Sequence, residues 1–363
     1  MAGRVAVVGT GLIGGSVGLA LRARGFDVVG FDRDEARLVR SKQLGAISEG
    51  APSLAAAVGA ADLVVVAVPV GAIAPTVVAA LDAGAAVVTD VGSVKAPVVA
   101  DVEEMRPTES ARFVGGHPMA GSEQEGVDGA DATLFVGSTW VLTPTANTDD
   151  RAYTQVLQRV RELGAEVVTL TPQHHDELVA LVSHVPQLAA STLMDIATAD
   201  EDDRRTMLRL AAGGFRDMTR IAAGNPGIWP DILATNKDAV LAALDTYVAA
   251  LLRAREIVAS GARDELLSLL ERARSARRNL PVGATMATDL VELRVPVPDR
   301  PGVIAEVTTL AGRLGVNVAD FEIAHSAEGG RGVITLIVAA VDADAYQSGL
   351  RDLGYTVSRT DLA

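Results

Sequence analysis

The chain has 363 residues, 49% of them hydrophobic, and a formal net charge of −14. This length calls for more than one core, and the acidic balance repels phosphate backbones, which excludes nucleic acid as a partner. The absence of cysteine removes disulfides, thiolate metal sites and cysteine nucleophiles, and fits a cytoplasmic protein. The N-terminal apolar run is short and enters a glycine motif rather than a cleavage site. No apolar stretch reads as long enough to span a bilayer, so no membrane is expected.

From residue 4 to about 170, short β-branched runs alternate with alanine-rich helical stretches. Strands are expected at Arg4–Val8, Val28–Asp32, Leu63–Val68, Ala86–Val91, Thr139–Thr143 and Glu166–Leu170. This alternation builds a parallel sheet covered by helices on both faces, the doubly wound, Rossmann-like α/β pattern. Residues 1–172 are assigned to this domain. Residues 173–280 then read as all-helical, with helices at Glu177–Ala199, Arg204–Ala211, Trp229–Ser260 and Arg263–Arg278. The apolar faces of these helices, including Leu233, Leu241, Leu244, Val248 and Leu251, suit burial against each other or in a homodimer. Residues 281–289 hold Pro281 and Gly283 and read as a linker. Residues 290–363 follow the order βαββαβ, the ferredoxin-like unit.

Gly9-Thr10-Gly11-Leu12-Ile13-Gly14 follows a strand and opens a helix. Gly9 permits the tight turn, Gly11 the approach of a pyrophosphate and Gly14 close helix–strand packing, and the first helical N–H groups can hold the phosphates. Asp32, ending the second strand, can accept from a ribose 2′-OH and repel a 2′-phosphate, so NAD is the expected cofactor, although Arg33 beside it weakens that preference. Val68-Pro69-Val70 and Asp90-Val91-Gly92-Ser93-Val94-Lys95 close later strands, where ligands of open α/β sheets sit, which puts Pro69 beside the cofactor and Ser93 and Lys95 near the nicotinamide. Ser93 as a plain helix cap is the alternative.

Gly115-Gly116-His117-Pro118-Met119-Ala120-Gly121 places His117 in what reads as a glycine-rich loop. An imidazole, with an ordinary pKa of about 6.5, suits proton transfer near neutral pH. His174 and His175 precede Asp176, but neighbours on a helix point apart and no third ligand spacing appears, so a helix N-terminal role is expected and no metal. His184 lies in Ser183-His184-Val185-Pro186-Gln187, where Pro186 removes a helix hydrogen bond; a substrate cleft or a buried polar network would explain it. In Gly213-Gly214-Phe215-Arg216-Asp217-Met218-Thr219-Arg220, arginine suits carboxylate recognition, and Arg220 sits in the more apolar surroundings.

Taken in order, these motifs resemble the prephenate dehydrogenases, which include arogenate-specific members, over residues 4 to about 280. The third part, with Pro298-Asp299-Arg300-Pro301-Gly302-Val303 and Gly315-Val316-Asn317-Val318, resembles an ACT domain. The resemblance implies NAD-dependent oxidative decarboxylation of prephenate or arogenate by a homodimer. It makes His117 the base for the ring hydroxyl, Ser93 its hydrogen-bonding partner or the substrate's, and Arg220 the carboxylate anchor. His184, Gln187 and Trp229 would line the cleft, and Asp299, Gly302 and Asn317 would bind a tyrosine effector. Gln187 departs from the family, many of whose members carry a histidine there. A neutral glutamine leaves the choice between the keto group of prephenate and the ammonium of arogenate open. A β-hydroxyacid dehydrogenase using Lys237, and a non-enzymatic NAD and amino-acid sensor, are the competing readings.

Overall fold

The computed structural model describes residues 3–59, 61–121, 124, 126–199, 206–207, 209–278, 290–298, 300–325 and 331–362. The linker expected over 281–289, Ser122, Glu123, Asp299 and part of the helix expected over Arg204–Ala211 lie outside them. The chain divides into two compact units, Met1–Leu252 and Arg253–Ala363.

In the first unit eight strands form one sheet: β1 (Arg4–Val8), β2 (Asp27–Phe31), β3 (Glu49–Gly50), β4 (Leu63–Val66), β5 (Val88–Asp90), β6 (Phe113–Pro118), β7 (Thr139–Thr143) and β8 (Glu166–Thr169). Their order is β3-β2-β1-β4-β5-β6-β7-β8. All four residues of β4 are buried, as a strand covered on both faces requires. Alternate residues of β1 feed opposite cores: Ala6 and Val8 join Val64, Ile73 and Val98, whereas Val5 and Val7 join Leu21, Trp140 and Val156. Helices α1 (Leu12–Ala23), α2 (Glu35–Gln43), α3 (Leu54–Val58), α4 (Val70–Asp82), α5 (Ala96–Met105) and α6 (Asp150–Glu162) complete the layers.

Two expectations about this sheet are corrected. It is not wholly parallel, because β6 and β7 pair antiparallel; among the described residues between them only a short 3-10 turn, Val127–Gly129, occurs, rather than a crossover helix. The stretch around His117 is not a loop but strand β6, with His117 in register with Val141. Its glycines do not loosen the backbone: a Cβ on Gly116 would stand 2.6 Å from the Asp90 carbonyl oxygen, so Gly116 lets β6 pass close to β5, while a Cβ on Gly115 would meet the Thr143 side chain of β7.

Beyond β8 the chain turns helical. A helix starts at Pro172, where a missing N–H costs nothing, and runs as α7 (Pro172–Val179), a π-helical turn (Ala180–His184) and α8 (Val185–Thr198). Pro186 therefore does not end the helix; it lies at the start of α8, and the wider turn before it absorbs the lost bond. The continuous helix Pro172–Thr198 has 27 residues and a hydropathy of 1.2, so a segment of membrane-spanning length and composition exists after all. Its buried His175 and Asp176 are fixed to the sheet domain, as in a core helix. Next come α9 (Gly213–Thr219), a 3-10 turn (Arg220–Ala223), α10 (Trp229–Thr235) and α11 (Lys237–Ser260). The single helix expected over Trp229–Ser260 is thus broken at Asn236, whose buried side chain is used elsewhere.

The second unit holds α12 (Arg263–Arg278), β9 (Leu290–Pro298), α13 (Val303–Leu314), β10 (Val318–His325), β11 (Arg331–Ala339), α14 (Ala340–Asp352) and β12 (Ser358–Leu362). The strands form an antiparallel sheet in the order β10-β11-β9-β12, the expected ferredoxin-like arrangement, closed by a core around Leu293, Leu336 and Tyr346.

Candidate active site

Two glycines of the motif are required by the shape of the turn. Gly9 takes φ +90°, and a Cβ on Gly14 would overlap the Gly9 carbonyl oxygen, so the start of α1 lies directly on β1. A Cβ on Gly11 would meet nothing within 4 Å, so the backbone there lies open to the close approach of a ligand. Leu12 and Ile13, half-buried, begin the helix. Asp32 stands at the end of β2. It accepts from Thr10 N at 2.8 Å and Asp34 N at 2.9 Å, with Arg37 3.7 Å away. Its carboxylate orders the glycine turn and keeps acceptor capacity for a ribose hydroxyl. Pro69 caps α4 at the carboxyl end of β4. This cradle fits a dinucleotide whose pyrophosphate lies on the start of α1.

His117 stands at the end of β6, next to β5. Its Nδ1 lies 2.8 Å from His175 Nε2, and the two rings meet edge to face with centroids 5.0 Å apart. His175 Nδ1 lies 2.7 Å from Asp176 Oδ1. Asp176 also accepts the backbone N–H groups of Lys95 and Ala96, each at 2.8 Å, at the positive end of α5. Burial, then His175, Lys95 and His184, hold the His117 imidazole well below its ordinary pKa, so it is neutral at pH 7.

The same network reaches His184. Asn236 Nδ2 donates to the Asp176 carbonyl oxygen at 2.9 Å and lies 3.3 Å from His184 Nδ1. An amide N–H there makes Nδ1 the acceptor and leaves His184 Nε2 as a donor. Burial lowers the His184 pKa to about 4, so it donates as a neutral ring. Trp229 packs edge-on against it, with centroids 6.1 Å apart. Gln187, also buried, turns its Nε2 to Ser191 Oγ at 3.4 Å, leaving its carbonyl oxygen as an acceptor.

The other expected residues fall differently. Ser93 is half-buried on the bend after β5, and the partner of His117 Nδ1 is His175, not Ser93. Lys95 does not face the cofactor: it is fully buried, paired with Asp90 and donating to the Gly116 carbonyl at 2.8 Å. Burial lowers its pKa despite Asp90. Arg220 is exposed on the 3-10 turn that packs on α8. His174 and His175 part company: His174 is exposed and approaches Glu177, whereas His175 is fully buried. The expected helix N-terminal role therefore fits His174 and misses His175, which falls with Asp176 on the buried stripe of the helix while His174 lies outside it. Asn236 was missed altogether. In the second unit Gly302 starts α13 at φ +95°, Asn317 is exposed before β10, and Arg300 and Tyr355 both bind Glu306.

Three family models match the chain: prephenate dehydrogenase, nucleotide-binding domain, over residues 17–169; prephenate dehydrogenase, dimerization domain, over 171–272; and ACT domain, over 291–354. The chain is 33% identical to the prephenate dehydrogenase of Bacillus subtilis, over 92% of this chain and 91% of that one. It is 35% identical to the cyclohexadienyl dehydrogenase of Zymomonas mobilis, over 75% and 94%. Among solved structures it resembles prephenate dehydrogenase from Aquifex aeolicus in complex with hydroxyphenyl propionate and NAD+ (31% identity, TM-score 0.71, covering 77% of this chain and 99% of that one). It also resembles Synechocystis arogenate dehydrogenase (30%, TM-score 0.66, 76% and 98%). With its glycine cradle and its half-buried histidine at the end of β6, the chain belongs to the prephenate dehydrogenase family and is an NAD-dependent oxidoreductase.

Proposed function

We propose that the chain converts prephenate to 4-hydroxyphenylpyruvate by oxidative decarboxylation, a step of tyrosine biosynthesis. The observation that carries this reading is His117, neutral and held by Nδ1 at the carboxyl edge of the sheet beside the dinucleotide cradle. Its remaining nitrogen, Nε2, takes the proton of the ring hydroxyl. Bound NAD supplies the acceptor for the hydride leaving the carbon that bears that hydroxyl. The ring carboxylate then departs as CO2, its electron pair completes the aromatic ring, and His117 returns the proton to the phenolate oxygen. Arg220 binds a substrate carboxylate, Ser93 hydrogen-bonds the substrate, and His184 Nε2 donates to it beside Trp229. The Aquifex aeolicus relative, solved with NAD+ and hydroxyphenyl propionate, supports a carboxylated phenol as the product class.

Gln187 favours a second reading. Its amide nitrogen is turned to Ser191, so the pocket is offered a carbonyl oxygen, which suits the ammonium of arogenate. The C-terminal unit, which matches an ACT domain, supports tyrosine as an effector near Gly302 and Asn317. The match to a dimerization domain supports a homodimer.

One assay tests these readings. Prephenate and arogenate are each offered with NAD and with NADP, with and without tyrosine, while NADH absorbance and CO2 are followed. Turnover of prephenate with NAD, slowed by tyrosine, is expected; His117→Asn should abolish it while NAD still binds. NAD binding with neither substrate turned over would make the chain a sensor instead.

A further inference from the structure

Behind His117 three side chains stand in line, and their order fixes where each proton sits. Asp176 accepts from the Lys95 and Ala96 N–H groups, one on each oxygen, so its carboxylate acts as an acceptor. The third contact of that carboxylate, to His175 Nδ1 at 2.7 Å, therefore requires a proton on Nδ1. A neutral His175 then bears its lone pair on Nε2. His117 Nδ1, 2.8 Å from that lone pair, must be the donor, which leaves the His117 lone pair on Nε2. No other arrangement of neutral rings satisfies both short contacts.

We propose that His175 and Asp176 are positioning residues that set the tautomer of His117, presenting Nε2 as the base and steadying the imidazolium formed when it takes a proton. The proposal rests on the reading of His117 as the base. When Nε2 accepts the hydroxyl proton, Nδ1–H remains bonded to His175, and the Asp176 carboxylate is the negative group in line with the new charge. Lys95 and His184 also face His117, and Lys95 is already paired with Asp90. His175 is fully buried between the two groups it bridges, and Asp176 is nearly so, which keeps water from competing for either bond.

The arrangement predicts opposite effects for variants of similar size. His175→Gln places an amide oxygen where Nε2 stood and keeps an acceptor for His117. His175→Phe removes it. Asp176→Asn replaces an acceptor with a donor on one side; if that N–H faces His175, the ring tautomer reverses and His117 Nε2 becomes protonated.

Two measurements on the full-length protein decide. Histidine 15N NMR of the unmodified protein, with His117 assigned through His117→Asn, should report a protonated Nδ1 and an unprotonated Nε2. Steady-state kinetics should show kcat falling about 100-fold or more in His175→Phe and Asp176→Asn with KM for NAD little changed, and His175→Gln recovering most of it. A wild-type His117 protonated at Nε2 would overturn the proposal without any variant having to fold. So would a His175→Phe enzyme within about three-fold of wild type beside a dead His117→Asn, which would leave the base reading standing. A His117→Asn enzyme of near-normal rate would overturn the base reading itself, and the relay with it.

Discussion

In the proposed role of base, His117 requires a neutral imidazole, and its surroundings keep it so. Burial is the largest cause, followed by His175, Lys95 and His184, all lowering its affinity for a proton. An ordinary histidine would begin to protonate near 6.5. Here the loss of activity on acidification must come later. The profile of kcat/KM against pH should stay flat from neutrality down through 6.5 and fall only at more acidic pH; a half-maximal point at or above 6.5 would contradict the assigned environment. His117 and His184 were legible in the sequence because each sits in a motif with a glycine or proline that has to be explained. His175 was not, although a signal existed. Pro172, His175, Asp176, Val179 and Ala180 recur at helical spacing and are all buried. Two polar residues on the inward stripe of a helix announce a buried network, and the stripe continues to His184 and Gln187. The pairing with His117, 58 residues away in sequence, is a tertiary fact that no local pattern carries.

Strand β6 is where sequence reading and structure part most clearly. Paired glycines read as a loop, yet they let a central strand run close beside its neighbour. Gly116 has the Asp90 carbonyl oxygen on one side and the Trp140 Nε1 and Thr89 Oγ1 atoms within about the same reach, 3.0–3.1 Å from a would-be Cβ. Gly116→Ala should therefore destabilise the fold by about 1–3 kcal/mol, the usual cost of overpacking, and reduce turnover by shifting His117. Urea unfolding and steady-state rates measure both; an alanine variant of unchanged stability would refute the close-packing account. Strands such as Leu63–Val66 were legible because their apolar β-branched runs are long enough to leave no choice, whereas the two-residue β3, Glu49–Gly50, carries no such run and was not. The π-helical turn at Ala180–His184 was not, since a proline in a helix signals a disturbance without saying which form it takes.

Each compact unit has its own core, and both α/β patterns were readable from the alternation of strand and helix. What the alternation cannot give is how the helical stretch is used. On α11, Leu241, Val248 and Leu251 are about half exposed, and on α12 Leu267 and Leu270 are likewise open. In each unit, exposed apolar side chains of this kind along one helix are uncommon on an isolated soluble chain. They support the homodimer, and light scattering at micromolar concentration should return twice the mass of one chain. A monomer under those conditions would remove that assignment.

Asp176 has a consequence that reaches beyond catalysis. Its carboxylate closes the start of α5, its carbonyl holds Asn236 at the break before α11, and its side chain aims His175. The aim of the proton acceptor thus comes into being only after helices from distant parts of the sequence have docked on the sheet. On the proposed relay, a partly folded chain owns His117 but no defined base, so the chemistry would wait for the finished scaffold.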